Sequence, residues 1–424
     1  MKRRNFLGHS AAWVGALSLS PLENSAALLP MPQAPKHGNP ATDEAYWDQI
    51  RLFYAKPKGF INLENGYFSP QALPTLYAHQ KLESDVNTRT SWFMRREQEA
   101  AIESSRQALA TFLGVPAEEL ALTRNTTESL NTLISGYPWR KGDEVVIGNQ
   151  DYGSMVAAFQ QAEKRFGIVI KVADVPLTPF LPDEVVKAYS SLFTANTRMV
   201  HLTHLINLTG QVIPVAQIAS LAHEKGIEVA VDAAHSVAHL DFKLPDLQAD
   251  YVGASLHKWL CNPIGVGFLW MKKSHIQKIW PLMGDTDYPD TDMRKFEHQG
   301  TRPIHSLMTL PTAIALHHNI GSNLKMQRLK YLMRSCCERI ADHPGIAINT
   351  PWNREDANSA IVNVAVKGFT PQQLADRLLK EFSIFTVAID HPAVKGVRIT
   401  PHVFTSVQDV VTLADALIQL ADKG

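Results

Sequence analysis

The 424-residue sequence predicts a doubly wound α/β fold: a large, mainly parallel sheet domain followed by a smaller α+β unit. Three observations predict it. Strand-like and helix-like segments alternate between residues 97 and 271. Several of the strand-like segments are near-continuous apolar runs, as strands covered by helices on both faces should be. Five of these strands end in clusters of polar residues, on the edge where open α/β sheets bind ligands.

The alternation runs as follows. "EQEAAIESSRQALATFLGV" (97–115) has helical apolar spacing and stops near Gly114. "ELALTRN" (119–125) is a short strand leading into the helix "TTESLNTLISGY" (126–137). "DEVVIGNQ" (143–150) is a strand, and "GSMVAAFQQAEKRFG" (153–167) a helix closed by Gly167. Strand "IVIKVAD" (168–174), helix "PDEVVKAYSSLF" (182–193), strand "TRMVHLTHL" (197–205) and helix "PVAQIASLAHEKG" (214–226) continue the series. Three strands close it: "IEVAVDAAHS" (227–236), "ADYVGASLHK" (249–258) and "GVGFLWM" (265–271). Beyond them, residues 306–341 form a helical pair. Then come strand 360–366, helix 370–382, strands 384–389 and 397–400, and a last helix 406–424, which together make a compact α+β unit. "FINLENGYFSP" (60–70) either joins that unit or bridges to the large one.

The first 30 residues differ in kind. "MKRRNFLGHSAAWVGALSLSPLENSAALLP" has a basic start, a short apolar run and small residues ahead of a cut after Ala27. This reads as an export signal, because the apolar run is too short to span a membrane. Arg3-Arg4 followed by Asn5-Phe6-Leu7 resembles the twin-arginine signal that addresses folded proteins for export, so a periplasmic or exported soluble protein is expected. A basic amphipathic terminus is the plainer alternative. Removing residues 1–27 takes the formal charge from zero to −2, and neither value points to nucleic acid. The expected organisation is signal 1–27, linker 28–44, N-terminal arm and loop 45–77, large domain 78–300 and small domain 301–424. Cysteines number three, Cys261, Cys336 and Cys337; that is no disulfide framework, and the neighbouring pair reads as helix packing.

The strand ends carry the chemistry. Asn125, Thr126, Thr127 and Glu128 open a helix, where backbone N–H groups and the helix dipole favour an anion such as phosphate; a simple capping box accounts for them equally well. Gln150, Asp151 and Tyr152 follow the next strand, and Thr203, His204 and Asn207 the one after. Asp232 ends an apolar strand. It is either the N-cap of the following turn or the partner of a protonated heteroaromatic nitrogen, since a buried unpaired carboxylate is costly. Ser255, His257 and Lys258 end the last of the five. A partly desolvated lysine has a lowered pKa, and its free amine can form a Schiff base. Imine lysine, acid and anion site are together the set that pyridoxal 5'-phosphate (PLP) requires.

The segments "TRNTTESLN", "VDAAHS" and "SLHKWLCNPIGVG" resemble the fold-type I PLP enzymes of the class V aminotransferase group, on its isopenicillin N epimerase-like side, over residues 45–415. The resemblance implies that Lys258 carries PLP and shuttles the α-proton while Asp232 faces the pyridine nitrogen. Thr126, Thr127, Ser255 and His257 would bind the phosphate. Tyr152 would stack on the ring, and Asn207 and His235 would lie by its phenolic oxygen. Thr301 in "HQGTRP" would reach the phosphate of a neighbouring site in a homodimer. Arg398 in "VRITPHVF" would clamp the substrate carboxylate, under a loop holding Asn65 and Gly66.

The implied activity is that of a transaminase or epimerase acting through a Schiff base on the α-amine of an amino acid or peptide-like substrate. After export, tailoring of a secondary metabolite is a fitting task. A cysteine desulfurase or C–S lyase is the alternative within the class; a desulfurase needs a reactive cysteine on a C-terminal loop, and none of the three cysteines reads that way. Outside the class stand a metal-dependent hydrolase using His201, His204, His235, His239 and Asp232, and a non-catalytic binding protein. Strand alternation puts His201 and His204 on opposite faces, and no H-E-x-x-H pattern occurs.

Overall fold

The computed structural model describes residues 30–177, 180–284 and 287–423. The export signal expected over residues 1–27 lies outside them. The large sheet has seven strands: β2 (Leu120–Thr123), β3 (Glu144–Gly148), β4 (Val169–Ala173), β5 (Thr197–Thr203), β6 (Glu228–Asp232), β7 (Tyr251–Ser255) and β8 (Gly267–Met271). Their order is β2-β8-β7-β6-β5-β3-β4, and β8 alone runs antiparallel to its neighbours. The carboxyl ends of β2, β3, β5, β6 and β7 therefore share one edge, where β8 begins. The apolar runs behave as read: β2, β7 and β8 are buried at every residue, while β4, on the edge, exposes Val169 and Val172.

Helices follow the strands as crossovers: α4 (Thr126–Gly136), α5 (Gly153–Phe166), α6 (Pro182–Ser190) and α7 (Val215–His223). The expected glycine stops are present, with Gly114 and Gly167 in the left-handed conformation after α3 (Gln98–Leu113) and α5. The helical pair is α9 (Leu310–Ile320) and α10 (Ser322–Ile340), and Cys336 and Cys337 are buried on α10. A four-stranded antiparallel sheet, β12-β13-β10-β9, is built from β9 (Ile346–Ile348), β10 (Val362–Val366), β12 (Val387–His391) and β13 (Val394–Ile399), with α11 (Pro371–Phe382) and α12 (Val407–Ala421) alongside.

Among the described elements that go beyond the sequence reading are three. Strand β9 is one. The helix α1 (Glu44–Arg51) occupies part of the expected linker and arm; Asp43 caps it, and its Trp47 is fully buried with the Arg328 guanidinium 5.2 Å from the ring centroid. The long α2 (Leu73–Arg96) is the third. Segment 60–70 joins the small sheet system. Its β1 (Ile61–Asn62) pairs in parallel with β11 (Ile384–Phe385), and Leu63 and Asn65 bond on to Thr400. It also touches the large sheet's edge, where Ser69 N–H donates to the His257 carbonyl at 3.0 Å.

Candidate active site

A cavity of about 380 Å³ opens where the five strand ends meet segment 66–68 and Arg398. Lys258, just beyond β7, lines it beside Asp232, Ser255 and His257. So do Thr126 and Thr127 at the start of α4, Tyr152 before α5, and Asn207, His235 and Gly66. A larger cavity of about 630 Å³ lies along Arg106 and Glu297; Gly300 and Arg302 border it, and Arg106, Arg302 and Glu297 are already ion-paired there.

Lys258 Nζ lies 2.8 Å from His235 Nε2, and Trp259 Nε1 donates to His235 Nδ1 at 3.3 Å. Indole N–H can only donate, so Nδ1 accepts and the neutral ring carries its proton on Nε2. That arrangement points the proton at Lys258 Nζ and calls for the neutral amine there, the form toward which burial draws it. Burial lowers the Lys258 pKa to about 8, Arg398 adds to the effect, and Asp232 and Glu64 oppose it. His235 is held well below its usual range by burial and by the Lys258 charge.

Asp232 Oδ1 accepts the Ala234 N–H at 2.9 Å, so the capping reading is correct as far as it goes. The carboxylate is also buried and faces the cavity. Burial raises its pKa; the Ala234 N–H, Lys258 and His201 act the other way. His201 belongs to a buried layer behind the site. Its Nδ1 meets Asp151 at 2.8 Å, and Thr203 donates to the same carboxylate at 2.7 Å. Burial alone would lower the His201 pKa, but Asp151 outweighs it and the net direction is up.

At the start of α4 the capping reading holds. Asn125 caps the helix by accepting the Glu128 N–H. Thr126, in contrast, turns inward: its N–H donates to Ser255 Oγ at 2.9 Å and its hydroxyl lies 2.8 Å from the same oxygen. Gly267 makes this approach possible, because a Cβ there would meet the Ala254 carbonyl at 2.6 Å and Asn125 Cα at 2.7 Å.

Two predicted residues do not line the cavity. Asn65 is fully buried and spends its amide on the Thr400 carbonyl at 2.8 Å, holding the loop rather than facing the site. Thr301 is exposed on the segment beside the larger cavity. His204 leaves the strand-end cluster; it packs edge-on against Phe242, and burial lowers its pKa to about 4. Glu64, Tyr67, Phe68 and Ile264 were not singled out from sequence. Tyr67, Phe68 and Ile264 form an exposed apolar rim, and Glu64 pairs with Arg398. The acid inside "FINLENGYFSP" was the available signal for Glu64. Among the described residues no three of His, Cys, Asp and Glu gather to hold a metal ion; His235 is engaged by Lys258 and His239 lies against Trp259.

The site fits PLP on its own terms. Asn207 Oδ1 and His257 Nδ1 are buried without a hydrogen-bond partner, each on a residue that lines the cavity. A free amine, a buried carboxylate and a hydroxyl-rich helix start surround the same space. This defines a PLP-type site on a doubly wound fold. The aminotransferase class-V family model matches residues 70–398, and the chain belongs to that family. Pyridoxal phosphate is its cofactor. The chain is 24% identical over 395 residues to isopenicillin N epimerase of Streptomyces clavuligerus, covering 89% of this chain and 99% of that protein. It is 27% identical over 358 residues to a probable cysteine desulfurase of Xylella fastidiosa, covering 78% and 83%. The fold also matches the apo structure of a cysteine desulfurase from Thermococcus onnurineus, with a TM-score of 0.78 and 22% identity over 89% of this chain and 98% of that one.

Proposed function

We propose that the enzyme acts on the α-amine of an amino acid or peptide-like substrate, as a transaminase or an isopenicillin N epimerase-like enzyme. The observation that carries this reading is the Lys258 amine, which lines the cavity, lies against His235 of the Trp259–His235 relay and is drawn by burial toward its neutral form. Thr126, Thr127, Ser255 and His257 would hold the phosphate. Tyr152 would cover the ring, Asn207 and His235 would meet its phenolic oxygen, and Asp232 would face its nitrogen. When bound, PLP supplies an electron sink that stabilises negative charge at the substrate α-carbon.

The protein's part is positioning and proton transfer. Lys258 Nζ would act as the base for the α-proton; general-base catalysis of this kind contributes about 10²–10⁴-fold. Arg398 orients the substrate carboxylate, and Gly66 lets the loop lie against the guanidinium, since a Cβ there would come within 3.3 Å of Arg398 Cζ. Return of the proton by Lys258 to the opposite face of the α-carbon would give epimerisation; when bound, PLP would also supply the acceptor chemistry for amine transfer.

Elimination is the second reading, favoured by the resemblance to the Xylella desulfurase. Against a desulfurase stand the cysteines, all buried and none lining the cavity. Burial pushes the Cys261 thiol up to about 11 and Cys336 up to about 12, which disfavours a thiolate nucleophile. The twin-arginine pattern supports periplasmic or exported placement. The position of Thr301, exposed and off its own chain's cavity, suits a homodimer in which it serves the neighbouring site.

Borohydride reduction, digestion and mass spectrometry should place a pyridoxyl group on the Lys258 peptide, and Lys258→Ala should abolish it together with turnover. An adduct on another peptide, or none, overturns the reading. Amino acids and peptides are then screened with and without a keto acid. Acceptor-dependent product means a transaminase. Solvent deuterium at the α-carbon without an acceptor means an epimerase, and sulfide or sulfane sulfur means the second reading. N-terminal sequencing of secreted material and light scattering test export and dimerisation.

A further inference from the structure

Arg398 is not a free cation awaiting a substrate. Its Nε donates to the Glu64 carboxylate at 3.3 Å, its Nη2 donates to the other oxygen of that carboxylate, and its Nη1 donates to the Asn207 carbonyl at 3.1 Å. Both side chains are largely buried, with 9% and 6% of their surface exposed for Arg398 and Glu64, so solvent screens the pair weakly. Glu64 is also fixed by its backbone. Asn62 Oδ1 accepts its N–H at 3.1 Å, and the flanking Leu63 and Asn65 are bonded to Thr400, two residues beyond Arg398.

The geometry points to Glu64 as a specificity-determining residue: an internal carboxylate that competes with the substrate's own for Arg398. This rests on Arg398 being the carboxylate contact. An arriving carboxylate meets a guanidinium whose fork of Nε and Nη2 is taken and whose charge is matched, and it brings a second anion close to Glu64. Like-charge juxtaposition of this kind weakens binding and discriminates between partners. Small free carboxylates therefore gain little here, and a good substrate must add contacts beyond its carboxylate. Tyr67, Phe68 and Ile264, exposed at the cavity mouth, are placed to give them.

The test is calorimetric titration of the PLP-loaded enzyme with 3-phenylpropionate and its neutral amide, which cannot react. Glu64→Gln should bind the carboxylate about tenfold or more tighter than wild type, the scale of removing one like charge from a partly buried anion site, with the amide unchanged. Glu64→Asp retracts the charge by one methylene, so its gain should be smaller but measurable; it also serves if the Gln variant folds poorly. Equal or weaker carboxylate binding in both variants overturns the inference, as does a matching gain for the amide, which would signal a merely loosened loop. Adding Arg398→Gln to Glu64→Gln should erase the gain. Persistence of the gain there would instead sink the assignment of Arg398 as the anion contact.

Discussion

The titration of Lys258 is the most direct check on the site. Its pKa of about 8, against 10.5 for an ordinary lysine, leaves about one amine in eleven neutral at pH 7 instead of about one in three thousand. The reactive fraction is thus roughly 300-fold larger, and the shift of about 2.5 units corresponds to about 3 kcal/mol. The folded pKa lies below the unfolded one, so the folded state binds fewer protons between about pH 8 and 10.5. The cost of this lysine to folding is complete below pH 8 and fades as pH rises through that window. The assay is the initial rate of PLP incorporation into apo-protein against pH, normalised to a free alkylamine. The rate should climb about tenfold per unit and flatten near pH 8. Two variants separate the causes. Asp232→Asn removes a carboxylate that favours the ammonium form, so the inflection should move down. Trp259→Phe frees His235 Nδ1 to carry the ring proton, letting Nε2 accept from an ammonium, so the inflection should move up. A wild-type rate that keeps rising to pH 10, or a downward move in Trp259→Phe, would refute the relay.

Gly267→Ala forces a methyl against three backbone atoms that cannot yield, so it should cost at least about 1–3 kcal/mol in thermal or denaturant unfolding and weaken PLP retention measured by dialysis. Native protein should show no fast-reacting thiol toward a disulfide reagent, and the variant with Cys261, Cys336 and Cys337 all replaced by alanine should keep amine turnover; loss of turnover specific to one cysteine would revive the desulfurase reading. Arg106→Ala removes a buried guanidinium that serves the Leu120 carbonyl and Glu297, leaving that acid to Arg302 and the Leu122 N–H, and should destabilise by about 1–3 kcal/mol in urea unfolding.

How far the sequence could be read depended on whether the deciding contact was local. The central strands were legible because burial on both faces leaves near-pure apolar runs, and Gly114 and Gly167 marked their helix ends by backbone conformation alone. Helix α1 was not legible. Its segment is polar beside a Pro-rich stretch, and it is fixed by Trp47 packing under Arg328 of α10 and by the Glu44–Arg328 ion pair. Asn65 illustrates a finer failure. The loop was placed correctly over the site, but which of two adjacent residues faces inward is set by the bond from Asn65 to Thr400, 335 residues away. Glu64 was missed for the same reason, its partner being 334 residues distant.

The Asp151–His201 pair shows how one local rule still constrains a distant assignment. Strand alternation separates His201 from His204, and the structure honours it: His201 lies against Phe159 on one side of the sheet, and His204 against Phe242 near the other core. That separation disperses the histidines of the hydrolase alternative and gives His201 a different use. Its pKa is raised by Asp151 against the effect of burial, and its charged form favours the Asp232 carboxylate, whose neighbour in register is Thr203, two residues along β5. A buried carboxylate left alone would take up a proton and could no longer attract a cationic ring nitrogen. On balance burial raises the Asp232 pKa, while the Ala234 N–H, Lys258 and His201 oppose it in that order; of the three, His201 is the one that does not line the cavity. His201, which the sequence offered as a metal ligand, thus acts instead on the Asp232 carboxylate from behind the site.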